Sequence, residues 1–218
     1  MNIAKNVLFD FDGTLMNTWP GIEATLKASL KALDISVPDA IVTRALVGIP
    51  LMRVFEVLLE GDTVRAGLAT DKYRELFPVV GMSGASPFEG VPGMLEGLKM
   101  EGREVFLVTA RNEMITKQMM IDHSLTRFFT WVRGEQEGEV LDGKERMVAE
   151  VLQKFSLNPE DCVFVGDRRY DVEAALANSM QAVGVTYGYG TEEELMDAGA
   201  AQLAGSIEEL GEMLLKAN

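Results

Sequence analysis

The segment Asp10-Phe11-Asp12-Gly13-Thr14-Leu15 sets two carboxylates two residues apart, directly after the apolar run Asn6 to Phe9. In an extended chain, residues i and i+2 point to the same side. Asp10 and Asp12 would therefore face one point in space where a buried strand opens into a loop. One carboxylate of such a pair can attack an electrophile, and the other can deliver a proton and later take one up. The same residues taken alone would also serve to close a strand into a turn.

The elements that must position this pair follow from the apolar pattern. Asn6 to Phe9, Glu104 to Val108, Val163 to Val165 and Ala182 to Thr186 are short runs rich in Val, Leu and Phe that predict buried strands, with a further short strand around Phe129 to Val132. Helical spacing alternates with them. Met94, Leu95 and Leu98 make one apolar face, and Met147, Val148, Val151, Leu152 and Phe155 make another. The fold class predicted is α/β, a Rossmann-like parallel sheet sandwiched by helices. Between Asn17 and about Val80 the strand signal disappears while Ile22, Leu26, Leu30 and Leu33, then Leu51, Val54, Phe55 and Leu58, keep helical spacing. This predicts a smaller all-helical domain over 17–82, inserted into a catalytic core made of 1–16 and 83–218. Thr191 with Glu194 and Ser206 with Glu209 fit the capping box and predict two closing helices.

In open parallel sheets, ligands bind beyond the carboxyl ends of the strands, so other strand exits are expected to face the same crevice as Asp10. They carry Thr109, the segment after Phe129 to Val132, and Gly166-Asp167-Arg168-Arg169-Tyr170-Asp171. Asp171 also heads an Ala-rich helix and suits a cap. Asp142 reads as a helix cap that puts Lys144 in a first turn, where a cation opposes the helix dipole. That local penalty makes sense opposite an anionic site, although Glu145 partly offsets it.

Taken together these segments resemble the haloacid dehalogenase superfamily, in its branch of phosphatases with a helical cap inserted after the first motif. Asp10 to Leu15 match the first motif, Thr109 the second, Lys144 the third, and Gly166-Asp167 with Asp171 the fourth. Gly184-Val185-Thr186-Tyr187-Gly188-Tyr189-Gly190 and Gly90-Val91-Pro92 look most like the phosphoglycolate phosphatase group and its nucleotidase relatives. The resemblance implies that Asp10 attacks phosphorus and forms an aspartyl phosphate, while Asp12 protonates the leaving oxygen and later activates water. Asp12 is expected to start protonated, because the charges of Asp10 and the phosphate disfavour its anion. Lys144 and the Thr109 hydroxyl would hold phosphoryl oxygens, helped by backbone N–H groups of Phe11, Asp12 and Ala110. Like charges about 4 Å apart repel by roughly 4 kcal/mol at an effective dielectric of 20, so four carboxylates beside a phosphate call for a divalent cation. Mg2+ suits the oxygen ligands that the resemblance implies: Asp10, the Asp12 carbonyl, Asp167, and Asp171 as ligand or neighbour of one.

The 218 residues are 47% hydrophobic and 25% charged, as in ordinary globular chains, and carry a net charge of −14. That charge repels a polyanion, and no basic cluster interleaved with aromatics appears, so nucleic acid is not an expected partner. No apolar run approaches the roughly 20 residues of a bilayer span, and a cytoplasmic monomer or weak dimer acting on a small phosphorylated metabolite is expected. The single Cys162, in an apolar run, reads as a buried structural thiol, and His123 receives no catalytic role. Asn17 stands where the family often has aspartate. Arg53, after Gly48-Ile49-Pro50, is a candidate for pairing with a substrate carboxylate or second phosphate. Tyr187-Gly188-Tyr189-Gly190 reads as a strand-exit turn rather than a phosphate cradle. A small phosphomonoester, with 2-phosphoglycolate first among candidates, leads the functional reading. A phosphosugar mutase, a 5'-nucleotidase and a non-catalytic phosphate-binding protein on the same scaffold are the alternatives. Dehalogenation is disfavoured, since displacing a halide needs neither an acid at Asp12 nor a metal ligand at Asp167.

Overall fold

A computed structural model describes residues 4–136 and 143–215. The chain opens with β1 (Asn6–Phe9) and β2 (Met16–Asn17), then α1 (Trp19–Ala32), α2 (Leu51–Leu58), α3 (Thr63–Val80) and β3 (Ser86–Pro87). It continues through α4 (Val91–Met100), β4 (Glu104–Asn112), α5 (Glu113–Asp122), β5 (Trp131–Glu135) and α6 (Lys144–Phe155). It closes with β6 (Cys162–Gly166), α7 (Arg169–Ala177), β7 (Gln181–Val185), α8 (Glu192–Asp197), β8 (Gln202–Ala204) and α9 (Ile207–Leu215). Two compact units result, Met1–Met16 with Pro87–Asn218, and Asn17–Ser86. No described helix is long and apolar enough to cross a membrane.

The first unit is built on a parallel six-stranded sheet of order β5-β4-β1-β6-β7-β8. Leu8 of β1 lies in register between Phe106 of β4 and Phe164 of β6. These three side chains meet Met147, Val148 and Val151 of α6 and Val172 and Ala175 of α7 in one core cluster. Val7, Phe9, Leu107 and Val163 alternate onto the opposite face and are equally buried. Burial of both faces is why these strands are unbroken apolar runs rather than alternating ones, as the fold-class prediction required. From β1 the chain passes to β4 and β5 on one side and then to β6, β7 and β8 on the other, so the order reverses between β1 and β6. Their carboxyl ends carry Asp10 and Asp167.

The strands differ from expectation mainly at their ends. β4 runs past Val108 to Asn112, with a register shift against β5 between Val108 and Asn112, and β8, at three residues, is too short for an apolar pattern to mark it. Both closing helices carry the N-cap half of the expected capping box, Thr191 Oγ1 accepting from the Glu194 N–H at 3.1 Å and Ser206 Oγ from that of Glu209 at 3.1 Å, while the Glu194 carboxylate accepts from Arg168 Nε and the Arg169 N–H and that of Glu209 from the Gly205 N–H. Asp142 lies outside the described residues, and Gly143, at φ 90°, occupies the N-cap position of α6. Cys162 is buried.

In the helical unit α1, α2 and α3 pack through Leu26, Leu30, Phe55, Leu58, Tyr73 and Phe77, with Tyr73 and Phe77 stacked at 5.5 Å and Phe55 edge-on to Tyr73 at 6.2 Å. A Cβ on Gly21 would lie 1.9 Å from the carbonyl oxygen of Gly81, so α1 approaches the end of α3 as only glycine permits. Gly84 closes on the same turn of α1, which keeps residues up to Ser86 with the helices rather than with the sheet.

Candidate active site

Asp10 leaves β1 with its N–H bonded to the Val165 carbonyl of β6 at 2.9 Å, which ties the first carboxylate to the neighbouring strand exit. Asp167 follows β6 immediately, and Asp171 sits in the first turn of α7. One carboxylate oxygen from each of Asp10, Asp167 and Asp171 lies within 4.8 Å of the others, and all three residues are buried. Lys144, the first residue of α6, points its ammonium into this group, 3.0 Å from Asp10 Oδ1 and hydrogen-bonded to Asp171 Oδ1. Asp171 is the third residue of α7, after the N-cap Arg168, rather than the cap itself. Its Oδ2 accepts the Arg168 N–H at 3.0 Å as the return half of a capping box, while Oδ1 faces the cluster.

Three carboxylates against one ammonium leave the group over-charged. Burial, then the carboxylates of Asp171 and Asp12, push Asp10 up to about 7, with Lys144 offsetting only part of this. Burial also raises Asp167, reinforced by Asp171 and Asp10. Burial opposes the charged form of Lys144, yet Asp10 and Asp171 outweigh it and hold its ammonium above the ordinary lysine range. Asp10 Oδ1 is buried and meets the Lys144 ammonium at 3.0 Å, a contact that lowers the proton affinity of Asp10 without cancelling the effect of burial. A buried, over-acidic oxygen cluster fits a hard divalent cation, for which Asp10, Asp167 and Asp171 would be the protein oxygens.

The turn after β7 holds Asp167 in place. Tyr189 N–H donates to Asp167 Oδ2 at 2.8 Å, and the Thr14 hydroxyl donates to Oδ1 at 3.2 Å. Tyr187, which burial and the Asp167 charge keep protonated well above the usual phenol range, donates to the Thr14 carbonyl at 2.9 Å. A Cβ on Gly13, itself at φ 79°, would meet Asp167 Oδ2 at 2.2 Å, and one on Gly188 would meet Asp167 Cβ at 2.4 Å. The segment Tyr187 to Gly190 is therefore a strand-exit turn that also braces a carboxylate.

Asp12 belongs to a second charged group. Arg111, two residues past Thr109, forks onto it through Nε at 3.1 Å and 2.9 Å and through Nη2 at 2.8 Å. A guanidinium only donates, so its two N–H groups fill acceptor sites of the Asp12 carboxyl. Arg111 was missed because its partner is 99 residues away; the only signal was a cation beside Thr109 at a strand exit. Thr109 is buried and its hydroxyl accepts the Arg111 N–H at 3.3 Å. Arg53 lies in the helical unit, on α2, exposed and paired with Glu56. His123 ends α5 as its C-cap residue.

The sequence profile of the haloacid dehalogenase-like hydrolase family matches residues 7–185. A 5'-nucleotidase of Pseudomonas aeruginosa is 32% identical over 190 residues, covering 87% of this chain and 86% of its own. A phosphoglycolate phosphatase of Pseudomonas putida is 31% identical over 206 residues, covering 86% and 71%. Among solved structures, a protein described as a predicted phosphatase from Clostridium acetobutylicum superimposes with a TM-score of 0.90 at 32% identity, over 99% of this chain and 100% of the other. The chain belongs to the haloacid dehalogenase-like hydrolase family. Within that family it is phosphoglycolate phosphatase-like, a phosphoric monoester hydrolase.

Proposed function

We propose that the chain is a Mg2+-dependent phosphatase of small phosphomonoesters that works through an aspartyl phosphate on Asp10. The observation that carries this reading is the buried group of Asp10, Asp167 and Asp171 around Lys144, in which three carboxylates face one ammonium. Mg2+ bound there would neutralise the surplus charge and polarise the phosphoryl group. Asp10 attacks phosphorus, Asp12 gives its proton to the leaving oxygen, and Asp12 then takes a proton from the water that attacks the phosphoenzyme. Lys144 and the Thr109 hydroxyl, with the N–H groups of Phe11, Asp12 and Ala110, hold the phosphoryl oxygens. The helical unit acts as a cap that selects the substrate, with Arg53 as its anion-pairing residue. A cytoplasmic location and a monomeric or weakly dimeric state belong to the same reading.

The substrate class is a small phosphomonoester, 2-phosphoglycolate first. A second reading, nucleoside 5'-monophosphates, is favoured by the 32% identity to a 5'-nucleotidase. Phosphate release over a metabolite panel, with Mg2+ and with chelator, tests both. Wild type should release phosphate only with Mg2+, and Asp10→Asn should lose at least about a thousandfold and carry no added phosphoryl mass after acid quench. Equal turnover by the mutant would sink the mechanism.

A further inference from the structure

We infer that Arg111 is a positioning residue for the reaction, holding the Asp12 carboxyl where both proton transfers take place. The inference rests on the proposed role of Asp12 as acid and base. Its basis is the fork itself. Nε and Nη2 of Arg111 reach both oxygens of Asp12 at 2.8–3.1 Å, and the two side chains are only 10% and 14% exposed. An exposed single-contact pair would fix little. A fork fixes the carboxyl plane as well as its position.

The fork has a rigid mount. Arg111 lies in the last part of β4, where the register against β5 shifts, and its N–H is bonded to the Thr109 hydroxyl at 3.3 Å. On the other side Asp12 is held by the turn of β1, where Gly13 N–H bonds the Met16 carbonyl at 2.8 Å and Met16 N–H bonds that of Phe11 at 2.9 Å. The pair thus ties the first strand exit to the second.

Oδ1 accepts from both Nε and Nη2 and Oδ2 from Nε alone, so of the roughly four lone-pair sites of a carboxylate Oδ2 keeps one for the proton that Asp12 exchanges. In the first half-reaction a bond forms from Asp10 to phosphorus, the ester P–O bond breaks, and the leaving oxygen takes the Asp12 proton. In the second, water oxygen bonds phosphorus, the Asp10–P bond breaks, and the water proton returns to Asp12. Both transfers need the carboxyl at one place, and a misplacement of about 1 Å can lower a rate by roughly a hundredfold.

The test is a double-mutant cycle on kcat/KM with two esters: an alkyl phosphate that wild type hydrolyses, and p-nitrophenyl phosphate, whose leaving group needs no acid. Arg111→Ala should lower kcat/KM about 30- to 100-fold on the alkyl ester and less than about fivefold on the aryl ester. In an Asp12→Asn background the same change should have less than about a twofold effect. Arg111→Lys, which keeps the charge but not the fork, should recover little. Inhibition by inorganic phosphate should be unchanged. Equal losses on both esters, an additive double mutant or full rescue by lysine would overturn the inference, as would weakened phosphate inhibition. If Arg111→Ala does not fold, the lysine variant carries the cycle, with selective loss expected and wild-type rates overturning. Asp12→Asn separates the two levels of failure: losses equal on both esters in that variant would remove the acid role of Asp12 itself, and the Arg111 inference with it.

Discussion

The same unit contains two groups of opposite charges, and they are built differently. Around Lys144, three buried carboxylates converge on one ammonium; at Arg111, one carboxylate meets one guanidinium. The first group is short of positive charge, so burial and mutual repulsion raise Asp10 and Asp167. The second is balanced and geometrically satisfied, with three N–H···O contacts on a single carboxylate. An unbalanced group has a use for a cation, whereas a balanced fork can only orient its carboxylate. Charge surplus and orientation are therefore supplied by separate residues two positions apart on one loop.

Removing Lys144, the cation of the unbalanced group among the described residues, should have the largest effect. Lys144→Ala is expected to lower kcat/KM by about a hundredfold or more and to destabilise the chelated protein by roughly 3 kcal/mol, since it leaves buried carboxylates unpaired. Steady-state kinetics and thermal melting in chelator check this. A loss no greater than that of Arg111→Ala on the alkyl ester would blur the distinction between the two groups.

Next comes the brace on Asp167. Gly188→Ala places a methyl carbon 2.4 Å from Asp167 Cβ and 2.5 Å from the Gly13 carbonyl oxygen, so something must shift. Mg2+ affinity measured by calorimetry should fall about tenfold, in the range usual for residues that orient metal ligands, while Arg111→Ala should leave it unchanged. The reverse pattern would exchange the roles assigned to the two groups.

A smaller effect is expected in the pH dependence of stability without metal. Asp10 rises from 3.8 to about 7 on folding, so the folded chain binds its proton more tightly than the unfolded one. Its contribution is fully present below about pH 4 and is lost as pH climbs to about 7. In chelator, Asp10→Asn should melt close to wild type near pH 4 and roughly 5 °C higher at pH 8. A gap that is constant with pH would contradict the over-charged reading of the Lys144 group. The smallest change is expected at Arg53, exposed and already paired with Glu56. Arg53→Ala should leave p-nitrophenyl phosphate hydrolysis within about twofold and raise KM for an anionic substrate severalfold, a difference that competition kinetics would detect.

Residues that act through local order could be read from the chain. Asp10 and Asp12 follow an apolar run, Asp167 ends another, and helix-cap chemistry at Thr191 and Ser206 depends only on residues three positions away. Lys144 was readable for a different reason, as a cation in a first turn where the helix dipole disfavours it, although its expected cap Asp142 lies outside the described residues. Arg111 and Gly188 were not readable. A cation at a strand exit is ordinary until the fold brings Asp12 to it across 99 residues, and a glycine in a turn gives no sign that its missing Cβ makes room for Asp167.

The sequence by itself determined the alternation of buried strands and helices, the helical insertion and the candidate carboxylates, because apolar period and turn chemistry act over a few residues. Only the tertiary structure decided which charges share a partner. Coulomb energy and desolvation depend on distance and burial rather than on order along the chain. Three carboxylates from the exits of β1 and β6 and the first turn of α7 therefore became one over-charged group, while Asp12, two residues from the first of them, became half of an ion pair.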